Sequence, residues 1–194
     1  MITLLTGPPG VGKSSLARKL TERNQGVQAI SFGELLRKAV ERRLGAPLDY
    51  SVFRTSAASL VTNKDLEEVA NLLVGNPVSS DPSRWLVVDS HAVARERCGW
   101  HANPDTPDTL ERYGYNSIVL LDAPTRVILR RIRKSPDGRL IKTRRDVSIL
   151  CALQRSIATY YSGTLGCPLW VIDARRGVNQ VAEAVESALG LRKS

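Results

Sequence analysis

Cysteine is scarce in this 194-residue chain, and the three present lack metal spacing. Cys98, Cys151 and Cys167 are odd in number and far apart in the chain. They argue against a disulfide framework or a zinc cluster and predict a reduced, cytoplasmic protein. No apolar run approaches the roughly 18 residues of a membrane span, so no membrane role is expected. Residues 1–6 lack a basic leader and run straight into a glycine-rich loop, which predicts no signal peptide. Internal repeats and low-complexity tails are missing too. So is the guanine-reading Asn-Lys-x-Asp of GTPases, because Asn63-Lys64 is followed at once by Asp65. A large motor ATPase needs more chain than this.

What is present suits one globular domain over residues 1–194. Hydrophobic residues make up 42%, enough for a core, and the net charge is +9. That charge is concentrated. Residues 126–145 hold seven Arg, two Lys and one Asp, a net of +8, which leaves the remainder at +1. Charge packed into one short segment predicts a local anionic partner such as a polyphosphate, whereas a nucleic-acid binder more often spreads it over a face.

Short apolar runs alternate with longer helical stretches. The runs at residues 2–6, 28–31, 85–89, 117–122 and 168–172 suit strands buried on both faces of a parallel sheet. Intervening helical patterns imply βαβ crossovers and an α/β, three-layer fold. Residues 178–189 read as a closing amphipathic helix, with Val178, Val181, Ala182, Val185 and Leu189 on one face. Two excursions interrupt the alternation. Residues 33–83 read as mainly helical, broken at Gly45-Ala46-Pro47 and Gly75-Asn76-Pro77; residues 133–146 are shorter and basic, around the turn chemistry of Ser135-Pro136-Asp137-Gly138. Both are expected to act as moving flaps over a site.

The most specific signal is Gly7-Pro8-Pro9-Gly10-Val11-Gly12-Lys13-Ser14, a G-x-x-x-x-G-K-[ST] loop between a predicted strand and a predicted helix. Gly7 and Gly12 permit backbone angles closed to other residues, so that loop amides converge on phosphate oxygens. The helix that follows adds its positive N-terminal end. Lys13 is expected to reach the β- and γ-phosphates of ATP, the Ser14 hydroxyl to hold Mg²⁺, and Ser15 to complete the cradle. Asp89 closes the run Trp85-Leu86-Val87-Val88, at the strand end where open parallel sheets bind ligands. It is the first candidate for a Walker B acid that holds Mg²⁺ directly or through water, with Asp122 as its rival and His91 nearby.

Together these segments resemble the adenylate kinases and related nucleoside monophosphate kinases. Ser31-Phe32-Gly33-Glu34-Leu35-Leu36-Arg37 resembles their Ser/Thr-x-Gly-Asp-x-x-Arg stretch, with Glu34 in place of Asp. Asp89-Ser90-His91 resembles the Asp-Thr-His strand end of the archaeal-type enzymes. Arg130-Arg131 and Arg144-Arg145-Asp146 resemble their double Arg and lid, and Gln154 falls near a Gln that often follows. The resemblance implies a P-loop kinase sheet in the order 2-3-1-4-5, a monophosphate-binding insertion and a short lid. It implies that Arg37 and Arg54 contact the acceptor's phosphate, with Ser31, Gly33 and His91 beside the acceptor. It further implies that Arg131 lies near the ATP base and phosphates, that Arg139, Arg144 and Arg145 clamp the transferring group, and that Ala174 lies near the donor's base. One stretch departs from the pattern: Cys98-Gly99-Trp100-His101-Ala102-Asn103-Pro104 stands where the family has a Gly-Tyr-Leu-Pro-Gly-like segment lining the acceptor base.

Three functions follow from this reading. The first is transfer of the γ-phosphate of ATP to a nucleoside monophosphate, AMP foremost. The second is a kinase of a nucleoside, sugar acid or antibiotic hydroxyl, with Asp89 as general base. The third is an ATP-driven partner of RNA or ribosomal factors, for which the basic lid is the motive.

Overall fold

The computed structural model describes residues 1–96, 99–102, 107–134, 140–141 and 143–191. Five of the apolar runs pair into one parallel sheet: β1 (Ile2–Thr6), β2 (Val27–Ser31), β3 (Trp85–Asp89), β6 (Ser117–Asp122) and β7 (Leu169–Asp173). Helices connect them: α1 (Lys13–Arg23), α2 (Phe32–Leu44), α3 (Tyr50–Leu60), α4 (Asn63–Val74), α5 (Pro107–Tyr113), α6 (Thr125–Lys134), α7 (Arg144–Leu165) and α8 (Val178–Leu189). An antiparallel ribbon, β4 (Val93–Glu96) with β5 (Gly99–Ala102), stands apart from the sheet.

The sheet runs β2-β3-β1-β6-β7. This differs from the expected 2-3-1-4-5 because that order numbered five strands and the chain has seven among its described residues. The unforeseen ribbon takes the fourth and fifth places in the chain without entering the sheet.

Helices cover both faces. On one, Leu20, Ile128, Leu150 and Val185 from α1, α6, α7 and α8 gather over Leu5, Val87 and Val119. On the other, Val40, Leu73 and Leu110 from α2, α4 and α5 gather over Leu4, Leu86, Val88 and Ile118. Helix α7 contributes to both cores, with Leu150 to the first and Ala158 and Tyr161 to the second. Alternate side chains of β1 thus enter opposite cores, as the period of a strand requires.

The long insertion is three helices with local stop and start signals. Ser31 caps α2, accepting the Glu34 N–H, and Gly45 closes it at φ +67°. Asp49 caps α3 by accepting the Ser51 and Val52 amides. Asp65 accepts the N–H and hydroxyl of Thr62 at the start of α4. Helix α7 opens on a Thr143–Asp146 capping box. Residues 135–139 and 142, at the centre of the expected lid, lie outside the described residues. Among those described, no helix is long and apolar enough to cross a membrane.

Candidate active site

The glycine-rich loop runs from the end of β1 to the start of α1, and three of its residues are left-handed: Gly7 at φ +139°, Gly10 at +79° and Gly12 at +115°. Close packing also demands glycine at two of them. A Cβ on Gly7 would lie 2.5 Å from the Leu121 carbonyl oxygen, and one on Gly10 2.9 Å from Ile132 Cγ1. The loop is therefore pressed onto the end of β6 and onto α6. Its lysine is folded inward. Lys13 is buried; its ammonium donates to the Gly7 carbonyl at 2.7 Å and lies 3.0 Å from His91 Nδ1. An ammonium offers only hydrogens, so Nδ1 accepts and the ring proton belongs on Nε2.

Ser14 Oγ donates to Asp89 Oδ2 at 2.8 Å, which joins the first turn of α1 to the end of β3. Two hard oxygen donors at that separation are chemically suited to Mg²⁺. The rival Asp122 is occupied elsewhere: Arg155 donates to its carboxylate at 2.7 Å, and Ala174 N–H to its main-chain oxygen.

Two cavities meet at this point. The first, about 480 Å³, is lined by residues 9–16 of the loop and α1 together with His91, Arg131, Ala174 and Val178. Arg131 braces its floor, donating to Val11 O at 2.7 Å and Ala174 O at 3.0 Å. It thereby ties the phosphate loop to the turn between β7 and α8. The second cavity, about 200 Å³, opens between Ser31, Gly33, Phe53, Arg54, Asp89 and Arg95. Pro9, Ser14 and His91 line both.

The structure therefore brings together Pro9, Gly10, Val11, Gly12, Lys13, Ser14, Ser15, His91, Arg131 and Ala174 around one cavity, and Ser31, Gly33, Arg54 and Asp89 around its neighbour. Arg37 is in neither. Its guanidinium donates to Glu34, Glu41 and the Leu48 carbonyl oxygen. Its hydrogen bonds hold the Glu34 carboxyl below its ordinary range, and Glu34 in turn raises the guanidinium. Arg144 lines a separate basic groove with Arg126, Arg130, Arg133 and Lys134, Arg145 is exposed at the start of α7, and Arg139 lies outside the described residues. Gln154 is wholly buried; it donates to Val93 O at 3.0 Å and accepts the Thr6 hydroxyl at 3.2 Å, holding the ribbon beside the end of β1.

Arg95 and Arg176 went unnoticed in the sequence although each lines a cavity. Arg176 could have been suspected from its place two residues after Ala174. Arg95 carried no signal, because only the unforeseen ribbon brings it to the site.

A family model described as an AAA domain matches residues 6–148. The chain belongs to this AAA-domain family. Over almost its whole length this AAA-domain chain is also similar to the adenylate kinase of the archaeon Pyrococcus abyssi, at 22% identity over 97% of this chain and 96% of that one. The resemblance read from Gly7–Ser14 onward is thus met by a full-length relative. Among solved structures, the tunicamycin resistance protein of Deinococcus radiodurans superposes with a TM-score of 0.63 at 22% identity, covering 98% of this chain and 96% of that one. The shikimate kinase of Bacteroides thetaiotaomicron superposes at 0.58 and 17% identity, covering 98% and 99%. These likenesses speak for the fold, which is that of the P-loop kinases.

Proposed function

We propose that this protein is an ATP- and Mg²⁺-dependent phosphotransferase whose acceptor is a nucleoside monophosphate, AMP foremost. The observation that carries the reading is the junction of the two cavities at Ser14 and His91, with Asp89 beside it. A triphosphate in the first cavity would present its terminal group at the mouth of the second.

Phosphoryl transfer asks chiefly for alignment and for neutralisation of charge on the moving group. Lys13 leaves the Gly7 carbonyl and His91 to meet the β- and γ-oxygens, while the amides of residues 10–14 hold the tail. Ser14 and Asp89 would hold Mg²⁺, which would supply charge neutralisation for the transfer. Arg131 keeps the donor's cavity in shape. Arg139, Arg144 and Arg145 are assigned to the lid that closes and excludes water. The AAA-domain fold and the similarity to an adenylate kinase support the reading.

Lys13→Ala should lower turnover with ATP and AMP by about three orders of magnitude or more in a coupled ADP assay. A rate within a few-fold of wild type would remove the assignment.

One observation favours a second reading. Arg37, the expected phosphate contact, is neutralised by Glu34 and Glu41. An acceptor with a hydroxyl and no phosphate would need no such cation, and Asp89 would then serve as general base. A screen of AMP, CMP, GMP, UMP and the parent nucleosides with ATP-Mg²⁺ separates the two: turnover confined to molecules without a phosphate would select the second.

A further inference from the structure

We infer that the basic groove on the outer side of α6 is a second ligand site, apart from both cavities of the candidate active site, and that it takes a short chain of linked phosphates. Arg126, Arg130, Arg133 and Lys134 of α6 line this groove of about 540 Å³ together with Arg144 from the start of α7. The one apolar side chain in its described lining is the buried Leu129. It shares no described lining residue with either of the other two cavities. Helix α6 therefore divides the basic segment in two. Arg131 braces the donor's cavity through Val11 O and Ala174 O, while positions 126, 130, 133 and 134 fall on another face, where all four side chains are exposed.

An ordinary solvated helix face balances its charges. Elsewhere this chain does so: Arg18, Arg23, Arg43, Arg112 and Arg155 each meet a carboxylate. Helix α6 carries no acidic residue, and among the described residues no carboxylate pairs with any of the groove's five cations. Arg126 and Arg130 stand four residues apart, as do Arg130 and Lys134, a spacing at which like charges destabilise a helix. Arg126 and Arg144 also lie in the first turns of α6 and α7, at the positive ends of those helices, where a cation is disfavoured. Only Arg133 and Lys134, in the last turn of α6, gain from the helix dipole. The arrangement thus costs the helix stability that an anion in the groove would restore.

The lining also selects the kind of anion. Guanidinium forks pair with phosphate oxygens two at a time, and positions 126 and 134 lie about 12 Å apart along a helix axis, room for several phosphates in a row. The described lining holds no aromatic ring on which a base could stack and no amide or hydroxyl side chain to read a base edge. The groove therefore recognises phosphate and nothing attached to it. Duplex nucleic acid asks for cations spread over a broad face, and outside residues 126–145 the chain is close to neutral, at +1. A compact polyphosphate fits this groove better.

Tripolyphosphate is the probe, titrated calorimetrically at fixed ionic strength into protein already saturated with a non-hydrolysable ATP analogue and excess Mg²⁺. One further binding event should appear. Arg126→Gln and Arg133→Gln should each weaken it about tenfold or more, as expected for loss of a charge-assisted pair. Both variants should keep the wild-type affinity for the ATP analogue and the wild-type circular dichroism, since both side chains are exposed. Lys64→Gln removes an exposed cation from α4 and should leave tripolyphosphate affinity unchanged. Absence of the further event overturns the inference, as does a loss in Lys64→Gln equal to that in Arg126→Gln, which would reduce the effect to bulk charge. A short RNA duplex that binds more tightly than tripolyphosphate, and loses affinity in both arginine variants, also overturns it by giving the groove to nucleic acid.

Discussion

A single methyl group at Gly7 would meet a backbone oxygen that cannot swing away, 2.5 Å distant, at a φ of +139° that side chains rarely adopt. Gly12 shares the strained φ, at +115°, but has open space around its would-be Cβ. The two glycines are therefore separable. Gly12→Ala should cost about 1–3 kcal/mol through backbone strain alone, whereas Gly7→Ala adds displacement of the loop from β6. We expect Gly7→Ala to lose measurable affinity for an ATP analogue and Gly12→Ala to retain weakened binding, both read by calorimetric titration. At Asp65 the residue-scale balance is electrostatic. Burial pushes its carboxyl up, but hydrogen bonds from Arg43 and Thr62 outweigh that and hold it below the ordinary range. A lowered folded-state value means the carboxylate stabilises the fold above its unfolded value of about 3.9, and the contribution fades as pH falls through the folded value. Asp65→Asn should cost about 2 kcal/mol near neutral pH, from the lost cap and ion pair. It should also flatten the acid side of the stability profile, measured as urea midpoints from about pH 7 to pH 3.

At the scale of elements, the insertion is not uniform. Helix α4 buries Leu66, Val69, Ala70 and Leu73 against the sheet-side core, while α3 buries Phe53 and leaves Tyr50 and Val52 exposed. The insertion is expected to move as a flap, and we expect that motion to fall on α3, since α2 and α4 bury several side chains each in the core while α3 buries Phe53. Amide exchange should be fastest in α3 among the three helices and should slow when AMP and an ATP analogue are bound; equal protection of α3 and α4 in the free protein would contradict this. The same contrast explains what could be read in advance. The strands of the sheet were legible because runs such as Leu86-Val87-Val88 are apolar on both faces, a pattern that requires helices on either side. The phosphate loop was legible because its glycines and lysine follow one another in the chain. The ribbon was not: Val93-Ala94-Arg95-Glu96 shows neither a long apolar run nor a turn signal, and the side chain that bonds its first residue, Gln154 donating to Val93 O, lies far along the chain. The pairing of Arg37 was likewise hidden, because spacing alone cannot say whether an arginine meets its own helix's Glu34 and Glu41 or a ligand.

For the molecule as a whole, the question is whether two cores on opposite faces of one sheet fold as a single unit. Leu73 and Leu150 are each 0% exposed, the first in the core beneath the insertion and the second in the core beneath α1, α6 and α8. Replacing either by Ala should cost about 3 kcal/mol, the usual range for a buried leucine. Both cores share β1, whose Leu4 enters one and Leu5 the other, and α7 feeds side chains into both. Neither core can therefore melt without exposing the main chain that supports its partner. Each variant should accordingly show one cooperative denaturant transition with the wild-type slope, shifted to a lower midpoint. The two sites lie in different cores on opposite faces of the sheet, so the double variant should lose the sum of the single losses within about 0.5 kcal/mol. A biphasic transition in Leu73→Ala alone would instead show that the insertion unfolds as an independent flap, and closure over the site would then be a folding event rather than a hinge motion of α3.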